Sequence, residues 1–327
     1  MSAMHKPAKI IRLFVSIAVI IGVFLIIAKL KLPSHTYLWR EIHNTGHTLL
    51  FGAFALAVLT MVRQYWTAIA NRPFRQYVFA LAITVLSGAL VEMAQIYLPG
   101  DSDLYDLSRD IAGALAALGF RAAMDRRLAA GARFVGIRLR KLLLGFSGIV
   151  LLAALTPLAV LTGAYLHRDL SFPIIADFES NWARPLMKTR KVSLASVSAP
   201  PAWNDNHGKV GRLTFLPAKY PTFSIEEPFP DWNSYSFFSL LIFSPEAEIV
   251  TIGLRIEDSH TDNSFDDRFN LTVDLKSGRN EIVVPLEKIR TAPKGRLMDM
   301  KSINSIHIYA GVIRSPVTLF LDDIRLK

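Results

Sequence analysis

Five polar residues lie in or beside long apolar runs, and their types suit acid–base or ligand chemistry: His47, Glu92, Gln95, Asp106 and Asp110. Glu92 and Gln95 are three residues apart, a spacing that places both on one helix face, and the two aspartates are four apart with the same consequence. An ionisable side chain inside an apolar span is costly, which by default indicates a functional site. His47, Glu92, Asp106 and Asp110 are therefore candidate catalytic residues, and Gln95 is a candidate ligand-binding residue.

This set of residues has more than one chemical interpretation. It could hold a divalent cation, relay a proton or bind a polar lipid headgroup. Alternatively, its members hydrogen-bond across helices and fix the packing of a bundle, as polar residues in membrane helices do. Gly88, Gly113 and Gly119 lie in the same apolar stretches, where small residues let helix backbones approach closely.

The elements that must position these residues are apolar runs of roughly the length that crosses a hydrocarbon core of about 30 Å. The runs predict five transmembrane helices, over residues 13–28, 49–62, 77–96, 107–120 and 142–166. The first is preceded by basic residues, as in a secretory signal, but it lacks a small-residue cleavage pattern. We therefore expect a retained N-terminal membrane anchor.

The distribution of charge predicts the orientation of these helices. Residues 1–170 hold 18 basic and 8 acidic side chains, a net charge of +10, whereas residues 171–327 hold 19 of each. The basic residues concentrate in the loops at 63–75 and 121–141, and short loops rich in Lys and Arg stay in the cytoplasm. The amino terminus is then cytoplasmic and everything after residue 166 is extracytoplasmic. Membrane topology accounts for the basic excess, so we expect no nucleic-acid partner.

After residue 166 the pattern changes to short segments with period-two alternation, which is typical of a β-sandwich. Expected strands cover residues 210–215, 236–243, 250–257, 269–274, 281–285, 305–309 and 318–325. The fold class is thus multidomain: an all-α transmembrane helical bundle of about five helices, followed by an all-β jelly-roll sandwich. The expected domains are an anchor helix (1–33), a transmembrane domain (34–125), a basic loop with the fifth helix (126–170) and an extracytoplasmic sandwich (171–327).

The membrane half resembles the VanZ-like family over roughly residues 40–120. The matching motifs are a His opening an apolar helix (His47), Glu92-x-x-Gln95 near the end of the next, the loop Pro99-Gly100, and Asp106-x-x-x-Asp110-x-x-Gly113 opening the following helix. The chain departs from the family at Asp101, where an Arg is common, and at Asp110, where an Asn is common. The resemblance implies a cell-envelope membrane protein related to glycopeptide (teicoplanin) resistance proteins, and it implies a scaffold more than a reaction.

The second half resembles carbohydrate-binding-module-like and galactose-binding-like jelly rolls. The matching segments are Asp177-Phe-Glu179 with Trp182, Asp231-Trp232, Asp267-Arg268-Phe269, Gly278-Arg-Asn280 and the final strand around Asp322. The resemblance implies a structural calcium, with Asp177, Glu179 and Asp322 as candidate oxygen ligands. Trp182, Trp203 and Tyr220 are candidate ligand-binding residues, since aromatic rings offer flat faces to sugars, although most sandwich aromatics are buried.

These features lead us to expect an inner-membrane protein of the bacterial envelope that contacts membrane lipids and binds glycan or lipid-linked glycan through its sandwich. Two alternatives stay open: a membrane enzyme or transporter acting on an envelope lipid through the His/Glu/Asp set, and a structural partner in an envelope complex. An enzyme is the less favoured interpretation, because the chain has no Walker loop, dinucleotide fingerprint or zinc-protease helix. We expect no cofactor apart from the calcium, and the sequence specifies neither the ligand nor the oligomeric state.

Overall fold

A computed structural model of the chain describes residues 36–97, 104–128, 133–204 and 208–327, together with a few isolated positions between 11 and 22. The chain divides into two compact units, Met1–Leu161 and Thr162–Lys327, which we call the helical unit and the sandwich unit. The predicted anchor helix at residues 13–28 lies outside the described residues except for isolated positions.

The described residues of the helical unit form long helices. They are α1 (Tyr37–Tyr65), α2 (Pro73–Tyr97), α3 (Leu104–Ala123) and α4 (Arg133–Ser171), the last of which continues into the sandwich unit. Thr36 caps α1 by accepting a hydrogen bond from the backbone N–H of Trp39 at 3.3 Å, which satisfies one of the free donors at the helix start. Buried apolar side chains of α1, α2 and α3, such as Phe51, Ala80 and Ala114, share one core.

Glycine residues bring these helices together, as the sequence predicts. Gly113 of α3 lies against the backbone of Thr48 in α1, and a Cβ at position 113 would overlap the Thr48 carbonyl oxygen. A Cβ on Gly88 of α2 would come within 3.1 Å of Asp110 Oδ2. These contacts place α3 against the backbone of α1 and set the Asp110 carboxylate of α3 beside α2, at the level of the polar residues.

Three described helices are long and apolar enough to cross a membrane, judged by length and composition: Tyr37–Tyr65, Pro73–Met93 and Ile137–Ser171. Helix α3 contains the fourth predicted span but is not one of the three. Its 20 residues include four charged side chains, which lower its mean hydropathy: Asp106, Arg109, Asp110 and Arg121.

The sandwich unit is built from antiparallel strands. They are β1 (Ile174–Ala176), β2 (Met187–Arg190), β3 (Val192–Ser198), β4 (Lys209–Phe215), β5 (Ala218–Lys219), β6 (Thr222–Glu226), β7 (Phe237–Ser244), β8 (Val250–Asp258), β9 (Phe269–Leu275), β10 (Gly278–Pro285), β11 (Ile303–Ala310), β12 (Val312–Ile313) and β13 (Val317–Leu326), with a short helix α5 (Leu286–Arg290) after β10. All seven strands expected from alternation are present, with ends shifted by three residues at most.

Two sheets carry the sandwich. One has the order β10-β7-β13-β4-β3, with β1 paired to β13, and the other has the order β2-β6-β11-β8-β9. Alternate residues of both sheets meet in one core, including Leu240 and Leu321 from the first sheet and Leu254, Ile306 and Phe223 from the second. Because successive side chains of a strand point to opposite faces, the residues between these core positions lie on the outer faces of the sheets.

Candidate functional site

The structure brings two of the predicted polar residues of the helical unit into contact. His47 Nδ1 lies 3.2 Å from Asp110 Oδ1, and both side chains are buried. The ring of His43, one helical turn earlier, lies edge-on to His47 with 5.4 Å between centroids. Glu92 is also buried within the helical unit. Helices α1 and α3 therefore hold an imidazole and a carboxylate against each other inside the bundle.

The other predicted polar residues are engaged differently. Asp106 accepts a hydrogen bond from Arg109 Nη1 at 2.9 Å, and Arg109 also reaches Glu41 Oε1 at 3.4 Å. This arginine ties α3 to α1 through a carboxylate of each helix. Gln95 lies in α2, and its side chain is outside the described residues.

The three predicted aromatic ligand residues of the sandwich occupy different environments. Trp203 is only 2% exposed and stacks on Phe243 at a centroid distance of 5.5 Å, so its ring packs the sandwich and offers no open face. Tyr220 is half exposed just before β6. Trp182 is 55% exposed, and its ring lies against Gly163 near the end of α4.

The residues predicted to bind calcium take part in turn and loop hydrogen bonds. Asp177 Oδ1 accepts from the backbone N–H of Glu179 at 3.1 Å, and Glu179 Oε1 accepts from that of Lys209 at 2.9 Å. Asp322 Oδ1 accepts from the backbone N–H of Asp323 at 2.8 Å. Within the described part of the chain, no three His, Asp or Glu side chains form a group that could hold a metal ion.

A set of polar residues for which the sequence predicted no role lies on the outer face of the five-stranded sheet, where Arg255, His307 and Tyr309 are partly exposed and Ser224, Glu257 and Ser305 are buried. Cross-strand pairing aligns one residue from each strand in a continuous row: Lys188, Ser224, His307, Arg255 and Asn270. The next row is Arg190, Thr222, Tyr309, Gly253 and Thr272. We call the central part of this surface the polar sheet face, defined as Ser224, Gly253, Arg255, Glu257, Ser305, His307 and Tyr309.

Hydrogen bonds connect the polar sheet face across three strands. The His307 ring bridges two hydroxyl groups, with Nδ1 2.7 Å from Ser224 Oγ and Nε2 2.8 Å from Ser305 Oγ. Arg255 Nη2 lies 3.3 Å from the same Nε2. The imidazole is thereby held in one orientation by β6, β8 and its own strand β11.

Glu257 anchors one end of this network. Its carboxylate contacts Arg255 Nε at 2.9 Å and Arg268 Nη1 at 3.3 Å, and it accepts a hydrogen bond from Ser305 Oγ at 3.3 Å. Burial alone would raise the pKa of the Glu257 carboxyl group. The interaction with His307 and the positive charge of the two guanidinium groups outweigh burial and hold the pKa below its ordinary value of 4.5. The carboxylate is therefore charged at neutral pH.

Tyr309 adds an aromatic surface to the polar sheet face. It pairs across the strands with Gly253, and its ring occupies the space that a Cβ at position 253 would need. Only glycine leaves room for a ring that lies along the sheet here. A flat ring beside a row of fixed donors and acceptors can stack on an apolar ligand face and hydrogen-bond to its hydroxyl groups.

The polar sheet face could not be found from the sequence, because its residues meet only through the pairing of strands. His307 and Tyr309 alternate with buried Ile306 and Ile308, so alternation predicts that they share the outer face of β11. That β11 lies between β6 and β8, and so aligns His307 with Ser224 and Arg255, follows only from the strand order.

Comparison with known proteins gives matches to solved structures. No family model matches the chain, and no curated protein matches it. A family 11 carbohydrate-binding module from Clostridium thermocellum, solved with a β-1,3-1,4-mixed-linked tetrasaccharide, is 18% identical, with a TM-score of 0.38 over 47% of this chain and 93% of that chain. A family 30 carbohydrate-binding module from the same organism is 14% identical, with a TM-score of 0.33 over 43% and 91% of the two chains.

An exo-β-agarase is a further match, at 14% identity and a TM-score of 0.38. The match covers 47% of this chain and 25% of the agarase chain. Carbohydrate-binding modules are thus among the structural neighbours of this chain. The chain joins a unit of long apolar helices to a β-sandwich.

Proposed function

We propose that this chain is a membrane protein of the bacterial envelope whose sandwich binds glycan through the polar sheet face. The observation that carries the proposal is the flat ring of Tyr309 over Gly253, beside the hydrogen-bonded row around His307. Sugars present alternating hydroxyl groups and apolar ring faces. A surface with both an aromatic plane and oriented polar groups suits such a ligand.

The membrane location rests on separate observations. Three described helices are long and apolar enough to cross a bilayer, and the basic excess of the chain lies in its first 170 residues. The proposed orientation, with the amino terminus in the cytoplasm and the sandwich outside, follows from the basic loops. It places the polar sheet face where peptidoglycan and lipid-linked glycan are found.

Glycan binding can be measured with the full chain in detergent micelles. The probes are purified peptidoglycan sacculi, assayed by co-sedimentation, and chitohexaose and cellohexaose, assayed by calorimetry. Tyr309→Ala should weaken binding at least tenfold. Phe237→Ala removes an exposed aromatic ring from β7 of the other sheet and should leave the affinity unchanged. Equal binding by the two variants would contradict the proposal.

The buried His47–Asp110 contact supports a second candidate function, a membrane enzyme or transporter acting on an envelope lipid. The VanZ-like resemblance suggests teicoplanin susceptibility of cells producing the chain as the readout. Glu92→Gln or His47→Ala should then abolish the effect of the chain while its amount and melting temperature stay normal. Under the packing interpretation, Glu92→Gln and Asp110→Asn should both behave like the unaltered chain.

A further inference from the structure

The exposed side chain of Trp182 lies beside the end of helix α4, and both belong to the sandwich unit. A Cβ on Gly163 would come within 2.6 Å of Trp182 Cζ3, so the indole ring rests on the helix where there is no side chain. His167, one turn further along, lies 3.3 Å from the hydroxyl of Ser180 through its Nε2. The loop that carries Trp182 is therefore attached to the helix at two successive turns.

A second set of contacts fixes the helix end from another direction. Tyr165 donates a hydrogen bond to the Glu227 carboxylate, and Arg168 Nη1 donates to the Glu227 carbonyl oxygen at 3.0 Å. Phe172, which follows α4, stacks on Phe229 with 4.2 Å between ring centroids. The last two turns of α4 are thus held as part of the sandwich, and Trp182 has a defined position along the helix.

The helix sequence specifies where that position falls in a bilayer. Residues 142–166, which lie between Lys141 and Arg168, carry no charged side chain. A helix of about 20 residues crosses a hydrocarbon core of about 30 Å. A span that begins after Lys141 therefore ends near Gly163. The bilayer boundary at this depth is where Trp and Tyr side chains are enriched, because their rings are apolar and their N–H or O–H groups are polar.

Exposed apolar side chains extend the surface around Trp182. Leu166 and Leu170 follow Gly163 at intervals of three and four residues, a spacing that places all three on one face of the helix. The two leucines are 59% and 77% exposed. An exposed group of one Trp and two Leu side chains at the end of a candidate membrane span is explained if lipid covers it.

We propose that Trp182, Leu166 and Leu170 form an interfacial contact with the outer headgroup region of the bilayer, which fixes the sandwich at the membrane surface. The proposal rests on the proposed membrane location of α4 and is independent of glycan binding. The partner is the lipid interface itself, because the patch is continuous with the apolar stretch of α4.

The natural chain contains no cysteine, so a single label can be placed without other changes. Asn181→Cys is exposed and leaves Trp182 in place, and Val283→Cys on β10 is the matched exposed control. Each full chain is labelled with an NBD fluorophore and reconstituted in phosphatidylcholine–phosphatidylglycerol vesicles. Headgroup-labelled nitroxide lipid should quench position 181 at least threefold more than position 283, and aqueous iodide should show the reverse order. Equal quenching of the two positions by iodide would overturn the interfacial contact.

Two further measurements separate this inference from the proposed function. Vesicle flotation after alkaline extraction reports membrane insertion, so an inserted chain with an iodide-accessible position 181 refutes the interfacial contact alone. Trp182→Ala should leave cellohexaose affinity in micelles within twofold of the unaltered chain. If Trp182→Ala loses sugar binding as strongly as Tyr309→Ala, Trp182 contacts the glycan and the lipid proposal is wrong.

Discussion

Tyr309 and Gly253 are cross-strand partners on β11 and β8, and the tyrosine ring fills the space that any side chain at position 253 would occupy. Gly253 has an ordinary strand position in β8, so its backbone conformation does not require glycine. Glycine is required because the Tyr309 ring leaves no space for a side chain. A ring held along the sheet in this way has one face on the protein backbone and its other face directed away from the sheet. This relationship is the reason why we propose the polar sheet face as the surface that binds a flat ligand.

Replacement of Gly253 tests that relationship directly. Gly253→Ala should force the Tyr309 ring away from the sheet, with a loss of about 1–3 kcal/mol in the free energy of unfolding, as in other overpacked sites. The affinity of Gly253→Ala for sacculi should also fall, as that of Tyr309→Ala does. Chemical denaturation of the full chain, followed by the β-sheet circular dichroism signal, gives the stability. Gly311→Ala, where a Cβ has open space, is the control and should change neither quantity.

The lowered pKa of Glu257 predicts a pH dependence of sandwich stability. A carboxyl group whose pKa is lower in the folded than in the unfolded state contributes stability above the unfolded value, and this contribution is lost as the pH falls through the folded value. The contribution of Glu257 should therefore be complete above its ordinary pKa of 4.5 and should decline below it. Between pH 6 and pH 3, the stability difference between the unaltered chain and Glu257→Gln should shrink. A constant difference would contradict this assignment.

The ion pair between Asp258 and Arg296 should stabilise the loop after β8. The Asp258 carboxylate is fully buried, lies 2.6 Å from Arg296 Nη1 and accepts from the backbone N–H of Asp299 at 2.7 Å. Hydrogen bonds to Asp258 and Asp267 raise the pKa of Arg296, so the guanidinium group stays charged. Arg296→Met leaves a buried carboxylate without its partner and should cost about 3 kcal/mol in unfolding free energy.

An exposed ion pair in the same region supplies the control for that substitution. Lys294 contacts Asp266 at 2.9 Å with both side chains mostly exposed, and such pairs contribute about 0–1 kcal/mol. Lys294→Met should therefore leave the denaturation midpoint nearly unchanged. If Arg296→Met and Lys294→Met lowered the unfolding free energy equally, burial of Asp258 would not be the cause of the loss in Arg296→Met.

The close approach of α1 and α3 predicts a strong dependence on Gly113. Gly113→Ala places a Cβ against the Thr48 carbonyl group and should lower the melting temperature of the helical signal in detergent, with a cost of about 1–3 kcal/mol. Gly46→Ala in α1 meets no atom within 4 Å and should be neutral or slightly stabilising, because Ala favours helix over Gly. A neutral Gly113→Ala would mean that the two helices can separate without loss.

Local patterns in the sequence predicted much of the architecture. Period-two alternation located β4, β7, β8 and β13 to within one residue of their ends, and glycines in apolar runs predicted close helix approach, which Gly113 makes between α3 and α1. These features depend on neighbouring residues or on the size of one side chain. Helix α3 shows the limit of this approach, because its apolar residues suggested a span while its charged residues pair with α1.

The polar sheet face could not be predicted in the same way, because its members come from distant parts of the chain. Alternation shows that Arg255 and His307 each leave the core side of a predicted strand, whereas Ser224 lies in β6, which alternation did not predict, and only the order β6-β11-β8 aligns the three. Burial of individual aromatic rings was equally inaccessible: Trp203 and Trp182 have the same chemistry, yet one stacks on Phe243 and the other stays exposed beside Gly163. Sequence alone determined which residues share a strand face, whereas strand pairing and loop packing decided which of them meet, because those contacts depend on residues far apart along the chain.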